Sequence, residues 1–276
     1  MNQQTDVPVV MTFSGADATG GAGIQADIEA LASMGCHTAS VVTALTVQDT
    51  QRVMSFIPVS AGLLVQQARA VLEDMPIAAF KIGMVGSVEN VEALHSLLKD
   101  YPELPVVLDP VLASGAGDPL STSAVRDALI DLLFPLTTIL TPNSIEARAL
   151  APAADTLDAC GQELLDCGCE YVLISGAHET TPTVINTLYG GNHRIIESFS
   201  WPRLPHQYHG SGCTLAAATA GLLAQGSDPV SAVRHAQQYT WESLQHAYRL
   251  GMGQHLPNRF FWGLPEHNQD NSTDAE

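Results

Sequence analysis

Val9-Val10-Met11-Thr12-Phe13-Ser14-Gly15-Ala16-Asp17-Ala18-Thr19-Gly20-Gly21-Ala22-Gly23 is the stretch on which the fold of this 276-residue chain turns. Its first five residues form a short apolar run bounded by a glycine-rich turn, which reads as a buried strand. The glycines permit a tight loop, and residues 24 to 34 carry the apolar spacing of an amphipathic helix. A nearly all-apolar strand leading through a glycine loop into a helix is half of a parallel βαβ unit. Such strands belong to sheets covered on both faces.

The same pattern recurs along the chain. Strands are predicted over 38–45, 78–82, 105–108, 138–140 and 171–174. Residues 183–189 and 193–199, joined across Gly190-Gly191-Asn192, read as an antiparallel hairpin. Helices are predicted over 62–74, 88–99, 121–133, 145–150, 157–167, 214–225 and 229–248. The expectation is an α/β fold with a mostly parallel central sheet, as one domain over residues 1–265. The polar segment 266–276 is expected to be disordered. Loops 15–23, 46–51, 81–86, 109–117 and 141–146 each follow a predicted strand, and ligands of open α/β sheets bind at the carboxyl ends of strands. These loops should meet on one rim.

Composition narrows the function classes. The chain is 46% hydrophobic and 14% charged, enough to bury a sizeable core. Its formal net charge of −18 argues against nucleic acid and anionic membranes as partners. A phosphate ligand would have to be held by backbone N–H groups and a bound cation. No apolar run reaches membrane-span length, and the start Met1-Asn2-Gln3-Gln4-Thr5-Asp6 lacks a basic, apolar leader, so a cytoplasmic location is expected. Five cysteines, at 36, 160, 167, 169 and 213, make no disulfide framework. Cys167-Gly168-Cys169 has the wrong spacing for zinc and reads as a pair of core or helix-end thiols.

Several segments carry chemistry. His209-Gly210-Ser211-Gly212-Cys213-Thr214 precedes an alanine-rich helix. Its glycines and the helix end would gather N–H donors into an anion site, and Cys213 in the first turn is expected to have a lowered thiol pKa. The plainer alternative is a glycine turn with cysteine as a small apolar residue. Gly20-Gly21-Ala22-Gly23 lacks both the G-x-G-x-x-G spacing and the Gly-Lys-Ser/Thr of a P-loop. What remains is a turn that can approach a small ligand closely, with Asp17 and Asp27 nearby; the alternative for Asp17 is a turn residue bonding its own backbone. Asn143 and Glu146 lie three apart in Thr141-Pro142-Asn143-Ser144-Ile145-Glu146. They suit either a Mg²⁺ shared with phosphates or a helix cap. Asp109 adds a carboxylate at a strand end. Lys81 reads as the partner of a buried acid, and Gln48 can bond donor and acceptor edges of a heterocycle.

Taken together, Ser14–Asp27, Val42–Gln48, Lys81–Met84, Asp109–Val111, Thr141–Glu146 and His209–Leu215 resemble the hydroxymethylpyrimidine/phosphomethylpyrimidine kinases, members of the ribokinase-like superfamily. The resemblance runs in order from about residue 9 to 263. It implies a three-layer α/β/α sandwich without a large lid, a homodimer, and ATP and Mg²⁺ used in two successive phosphorylations. Gln48 would bind the pyrimidine, with Gly15, Ala22 and Met84 shaping its pocket. Asn143 and Glu146 would organise Mg²⁺, with Asp109 supporting that cluster, and Gly210, Ser211, Gly212 and Cys213 would form the anion hole, Cys213 as base. Three positions depart from the family, the mildest being Ser211 where threonine is commoner. Ser175 stands where many members carry an ATP-contacting lysine, and Ala113-Ser114-Gly115-Ala116-Gly117 has no lysine where Lys-Ser-Gly is common. Lys81, Arg148 and His178 are the candidates to replace those charges. A pyridoxal or pyridoxine kinase is the second reading, and a pyrimidine-binding protein without turnover the third.

Overall fold

The computed structural model describes residues 7–263, except Ala116, Asn192 and His193. The predicted tail, the tip of the predicted hairpin and the middle of the 113–117 loop lie wholly or partly outside these residues. Nine strands form one sheet: β1 Val9–Ala16, β2 His37–Gln48, β3 Val53–Pro58, β4 Ile77–Ile82, β5 Val106–Leu108, β6 Ile139–Leu140, β7 Tyr171–Ile174, β8 Thr183–Gly190 and β9 Arg194–Pro202, in the order β3-β2-β1-β4-β5-β6-β7-β8-β9. The six strands from β2 to β7 in that order run parallel, and β3, β8 and β9 add antiparallel edges.

Two helical layers cover the sheet. On one face α2 Ala61–Leu72, α3 Val88–Leu98, α4 Ser123–Ala128, α5 Ser144–Leu150 and α6 Leu157–Asp166 pack through Leu64, Leu94, Val125, Ala147 and Cys160 against Phe13, Phe80 and Leu108. On the other, α1 Gly23–Ser33, α7 Ser211–Ala224 and α8 Pro229–Gln245 enclose a second core. Helix α7 lies centrally there. Its consecutive buried residues from Thr214 to Gly221 explain its alanine-rich sequence, because small side chains let sheet and helices approach on several sides.

The order in which strands are added reverses at β1, which has β2 on one side and β4 on the other, all three parallel. That switch leaves a crevice at the carboxyl ends of the central strands. The differences from expectation are local. Strand β3 was not foreseen; its residues alternate weakly and acquire their form from antiparallel pairing with β2. Strands β1 and β2 run on into the predicted loops, so Gly15 and Gln48 belong to strands. Helix α7 starts three residues earlier than the predicted 214, and the predicted helix 121–133 ends in one π-helical turn, Leu129–Leu133.

Candidate active site

The carboxyl ends of the central strands open into one cleft of about 580 Å³. Gly15, Ala22, Gln48, Met84, Asp109, Asn143, Glu146, Ser175, Gly210, Ser211, Gly212 and Cys213 all line it, so the five loops do share a rim.

The floor of the cleft is the start of α7. Its N-cap, Gly210, has φ +79°, and a Cβ there would lie 1.9 Å from the Gly21 carbonyl oxygen. Both the left-handed backbone and the close approach require glycine. The loop from β1 is held against this turn by Asp17. One Asp17 oxygen accepts from the Thr19 N–H at 2.8 Å, and the other accepts from the Ala22 N–H at 2.8 Å and lies 2.8 Å from His209 Nε2. Burial would raise the Asp17 carboxyl, but the His209 and Thr19 hydrogen bonds outweigh it and hold it below its ordinary value. Asp17 is thus a turn residue and also a strut to His209, a link between segments 192 residues apart.

Beneath the floor, Lys81 is fully buried, with Nζ 2.8 Å from Asp27 Oδ1 and 3.0 Å from Ser14 Oγ. The expected pairing with a buried acid is present. Burial opposes the Lys81 charge, but Asp27, Cys213 and Asp109 together push its pKa upward.

The expectation of a lowered Cys213 pKa is not met. Cys213 sits in the first turn of α7, partly open to the cleft, and its sulfur accepts from the Gly23 N–H. Burial pushes the thiol up to about 12. Lys81 and the Gly23 N–H pull it down, but Asp109 and Asp27 add to the rise. A helix end does not offset a dry site with two nearby carboxylates. The thiol donates to Asp109.

Asp109 and Glu146 both line the cleft, close enough for the Asp109 charge to act on Glu146. Burial raises Asp109 to about 6, with Lys81 opposing and Asp27 adding to the shift. Burial and then the Asp109 charge raise Glu146 to about 8. Asn143 and Glu146 form a capping box: Asn143 Oδ1 accepts from the Ile145 and Glu146 N–H groups at 2.9 Å, and Glu146 Oε2 accepts from the Asn143 N–H at 2.9 Å. The cap is real, and it holds the carboxylate on the cleft wall. Among the described residues no cluster of three or more His, Cys, Asp or Glu side chains forms a complete metal cage.

Ser175 joins the site through backbone pairing. Its N–H donates to the Pro142 carbonyl at 3.0 Å, and its carbonyl accepts from the Ser144 N–H at 2.9 Å. The candidates to replace missing cations do not supply free charge. Lys81 is spent on Asp27; Arg148 is bidentate to Glu179 at 2.7 and 3.1 Å; and burial lowers the pKa of His178. Arg203, unnoticed in the sequence, lines the cleft and donates to the carbonyls of Ala177, Glu179 and Thr181. Trp201 and Trp241 line the same cleft and stack at 6.1 Å between centroids.

Arg259 was also missed. It is fully buried, donating to Thr214 Oγ1 at 2.9 Å, Glu29 Oε2 at 3.0 Å and the carbonyl of Gly21. No periodic or motif signal marks it; the only hint is an arginine in a chain with 11 basic residues.

Comparison with known proteins agrees with this geometry. The family model described as phosphomethylpyrimidine kinase matches residues 17–258. A Mycobacterium leprae protein named hydroxymethylpyrimidine/phosphomethylpyrimidine kinase is 37% identical over 254 residues, covering 88% of this chain and 91% of that one. The crystal structure of phosphomethylpyrimidine kinase from Clostridium difficile superposes with a TM-score of 0.74 at 33% identity, covering 86% of this chain and 99% of that one. Staphylococcus aureus pyridoxal kinase in complex with ADP gives a TM-score of 0.85 at 24% identity, covering 93% and 95% of the two chains; this likeness shows a shared fold. A family match spanning most of the chain, on a cleft that gathers the motif residues, means that the chain belongs to the phosphomethylpyrimidine kinase family.

Proposed function

We propose that this chain is an ATP- and Mg²⁺-dependent kinase of the cytoplasm, with one catalytic domain over residues 1–265. It phosphorylates 4-amino-5-hydroxymethyl-2-methylpyrimidine and then its monophosphate, giving the diphosphate for thiamine biosynthesis. The observation that carries this reading is one cleft lined both by the Gln48 amide and by Cys213 at the start of α7. The relatives' names support it. The Trp201–Trp241 end offers a flat aromatic surface for a nucleotide base, with Arg203 and Ser175 between it and the α7 floor.

The residues present fit a magnesium ion. Asp109 and Glu146 are buried carboxylates raised by desolvation, with Asp27 adding to the rise of the first and Asp109 to that of the second, and Mg²⁺ needs only one or two carboxylates when phosphates complete its shell. When bound it neutralises charge on the transferring phosphoryl group. In the first step the hydroxymethyl oxygen bonds to the γ-phosphorus as the bond to the ADP oxygen breaks. The hydroxymethyl proton passes to Cys213 Sγ, and the thiol's own proton has an acceptor in Asp109. The Cys213–Asp109 pair therefore serves without a standing thiolate. The N–H groups of Ser211, Gly212 and Cys213 hold the moving phosphoryl. In the second step the acceptor is a phosphate already largely ionised, so the base matters less.

The same reading includes a homodimer. Leu45, Val47 and Ile57 are each more than half exposed, and Leu45 pairs directly with Ile57 across the β2–β3 ribbon, giving an apolar strip suited to a second copy.

A coupled ADP-release assay with hydroxymethylpyrimidine, its monophosphate and pyridoxal tests the function. Turnover of both pyrimidines is expected. Turnover of pyridoxal alone would move the assignment to that substrate, and no turnover of any acceptor would favour a binding protein.

A further inference from the structure

Thr46 and Gln48 stand two apart near the carboxyl end of β2, on the same face of the strand, and both line the cleft. The Thr46 hydroxyl donates to the Ala16 carbonyl at 2.7 Å. A carbonyl can only accept, so this bond consumes the one proton the hydroxyl has. What Thr46 Oγ1 offers in the other direction is a lone pair, and Gln48 Nε2 donates to it at 2.8 Å. With the amide reversed, Gln48 Oε1 would face an oxygen that has no proton left to give, and two acceptors would meet.

From this chain of bonds we infer that Thr46 is a specificity-determining positioning residue: it fixes the orientation of the Gln48 amide and so decides which hydrogen-bonding edge of a heterocycle the cleft accepts. One Gln48 N–H is spent on Thr46. The amide carbonyl and the second N–H remain, one acceptor beside one donor. Their complement is an exocyclic amino group next to an unprotonated ring nitrogen, the 4-amino/N3 edge of an aminopyrimidine. The 4-oxo analogue, with oxygen in place of the amino group and a proton on N3, presents the reverse pattern and meets two mismatches. The backbone anchor makes the orientation robust, because Ala16 lies at the end of β1 and is held in register opposite Leu45. This inference rests on the pyrimidine reading of the cleft.

The test is calorimetric binding of 4-amino- and 4-oxo-5-hydroxymethyl-2-methylpyrimidine to the wild type, Thr46→Val and Thr46→Ser, with KM for ATP as a second readout. Valine keeps the volume and branching of threonine on a strand, so the fold should persist, and a thermal melt checks that it does. The wild type should prefer the amino compound by at least ~100-fold, since a site built around hydrogen bonds rejects a mispatterned analogue strongly. Thr46→Val frees the amide to turn over and should narrow that preference at least ~10-fold by improving 4-oxo binding, with KM for ATP unchanged. Thr46→Ser should restore it, whereas a merely structural role would weaken both ligands equally. A wild type that binds the amino compound but does not discriminate, or a Thr46→Val variant with undiminished preference, would overturn the inference while leaving the pyrimidine reading standing. Failure of the wild type to bind either pyrimidine would overturn both.

Discussion

Cys213 and Glu146 both owe their protonation to the dryness of the cleft, and each yields a prediction. The Cys213 thiol is pushed up to about 12 and hydrogen-bonds Asp109, so under the proposed mechanism it would act only where an acceptor proton must be removed. Cys213→Ala should lower kcat for the first phosphorylation by roughly 10²–10⁴-fold, the usual worth of a positioned base, and lower the second step much less. Equal losses in both steps would refute that division of labour. Glu146 bears on stability. Its pKa in the folded chain is raised from 4.5 to about 8, so the fold holds that proton more tightly than the unfolded chain does. Stability therefore falls as pH rises from about 4.5 to about 8. Glutamine keeps the capping box without the charge. In metal-free protein, Glu146→Gln should melt a few degrees above the wild type at pH 8, with the gap closing at pH 5. A gap independent of pH would show that the buried charge is not its source. The position of Cys213 was legible in the sequence, because glycine, serine and an alanine-rich helix fix where it sits. Its protonation was not. The groups that set it, Lys81, Asp109 and Asp27, arrive from β4, the end of β5 and α1, and no local pattern reports their sum.

The elements that carry the site were readable where local chemistry dictates them and hidden where pairing does. The β1–loop–α1 unit announces itself through an apolar run, glycines and a helical period. Strand β3 does not: Val-Met-Ser-Phe-Ile-Pro is short, half exposed and closed by proline, and its register comes from β2. Arg259 belongs to the hidden kind. Its guanidinium joins the glycine loop, α1 through Glu29, and α7 through Thr214, partners between 45 and 238 residues away. The Gly21 carbonyl it holds is the same atom against which Gly210 packs. The arginine therefore sets the spacing between the loop and the anion cradle. Arg259→Met should cost about 1–3 kcal/mol of stability, chiefly from the orphaned Gly21 carbonyl, since Glu29 is itself partly exposed and keeps its solvation. It should lower kcat more than it raises KM for the pyrimidine, because Gln48 lies outside the clamp. A variant with a lower melting temperature but unchanged kcat would confine Arg259 to folding.

At the scale of the whole molecule, a chain of net charge −18 resists association with its own copy, so a homodimer needs a contact face that carries little charge. The outer face of the β2–β3 ribbon has that character. Leu45, Val47 and Ile57 lie there at 55%, 54% and 70% exposure, while Thr46 and Gln48, between them in sequence, face the cleft. Strand β3 is also an edge strand whose free backbone groups are shielded only by what covers them. A partner docked on this ribbon would stiffen the strand that presents Gln48, coupling assembly to substrate affinity. Ile57→Lys places a charge on the strip directly beside Leu45, and burying it unpaired in an interface would be costly. By light scattering coupled to size exclusion, the wild type should run as a dimer and Ile57→Lys as a monomer. Raising the salt to about 0.15 M or above should strengthen the wild-type dimer by screening the like charges. The monomeric variant should show a higher KM for hydroxymethylpyrimidine and an unchanged KM for ATP, since the proposed nucleotide end includes Trp201 of β9, at the opposite edge of the sheet from β3. A wild type that is monomeric at every salt concentration would remove the dimer from this reading. A dimer that survives Ile57→Lys would move the interface to another face.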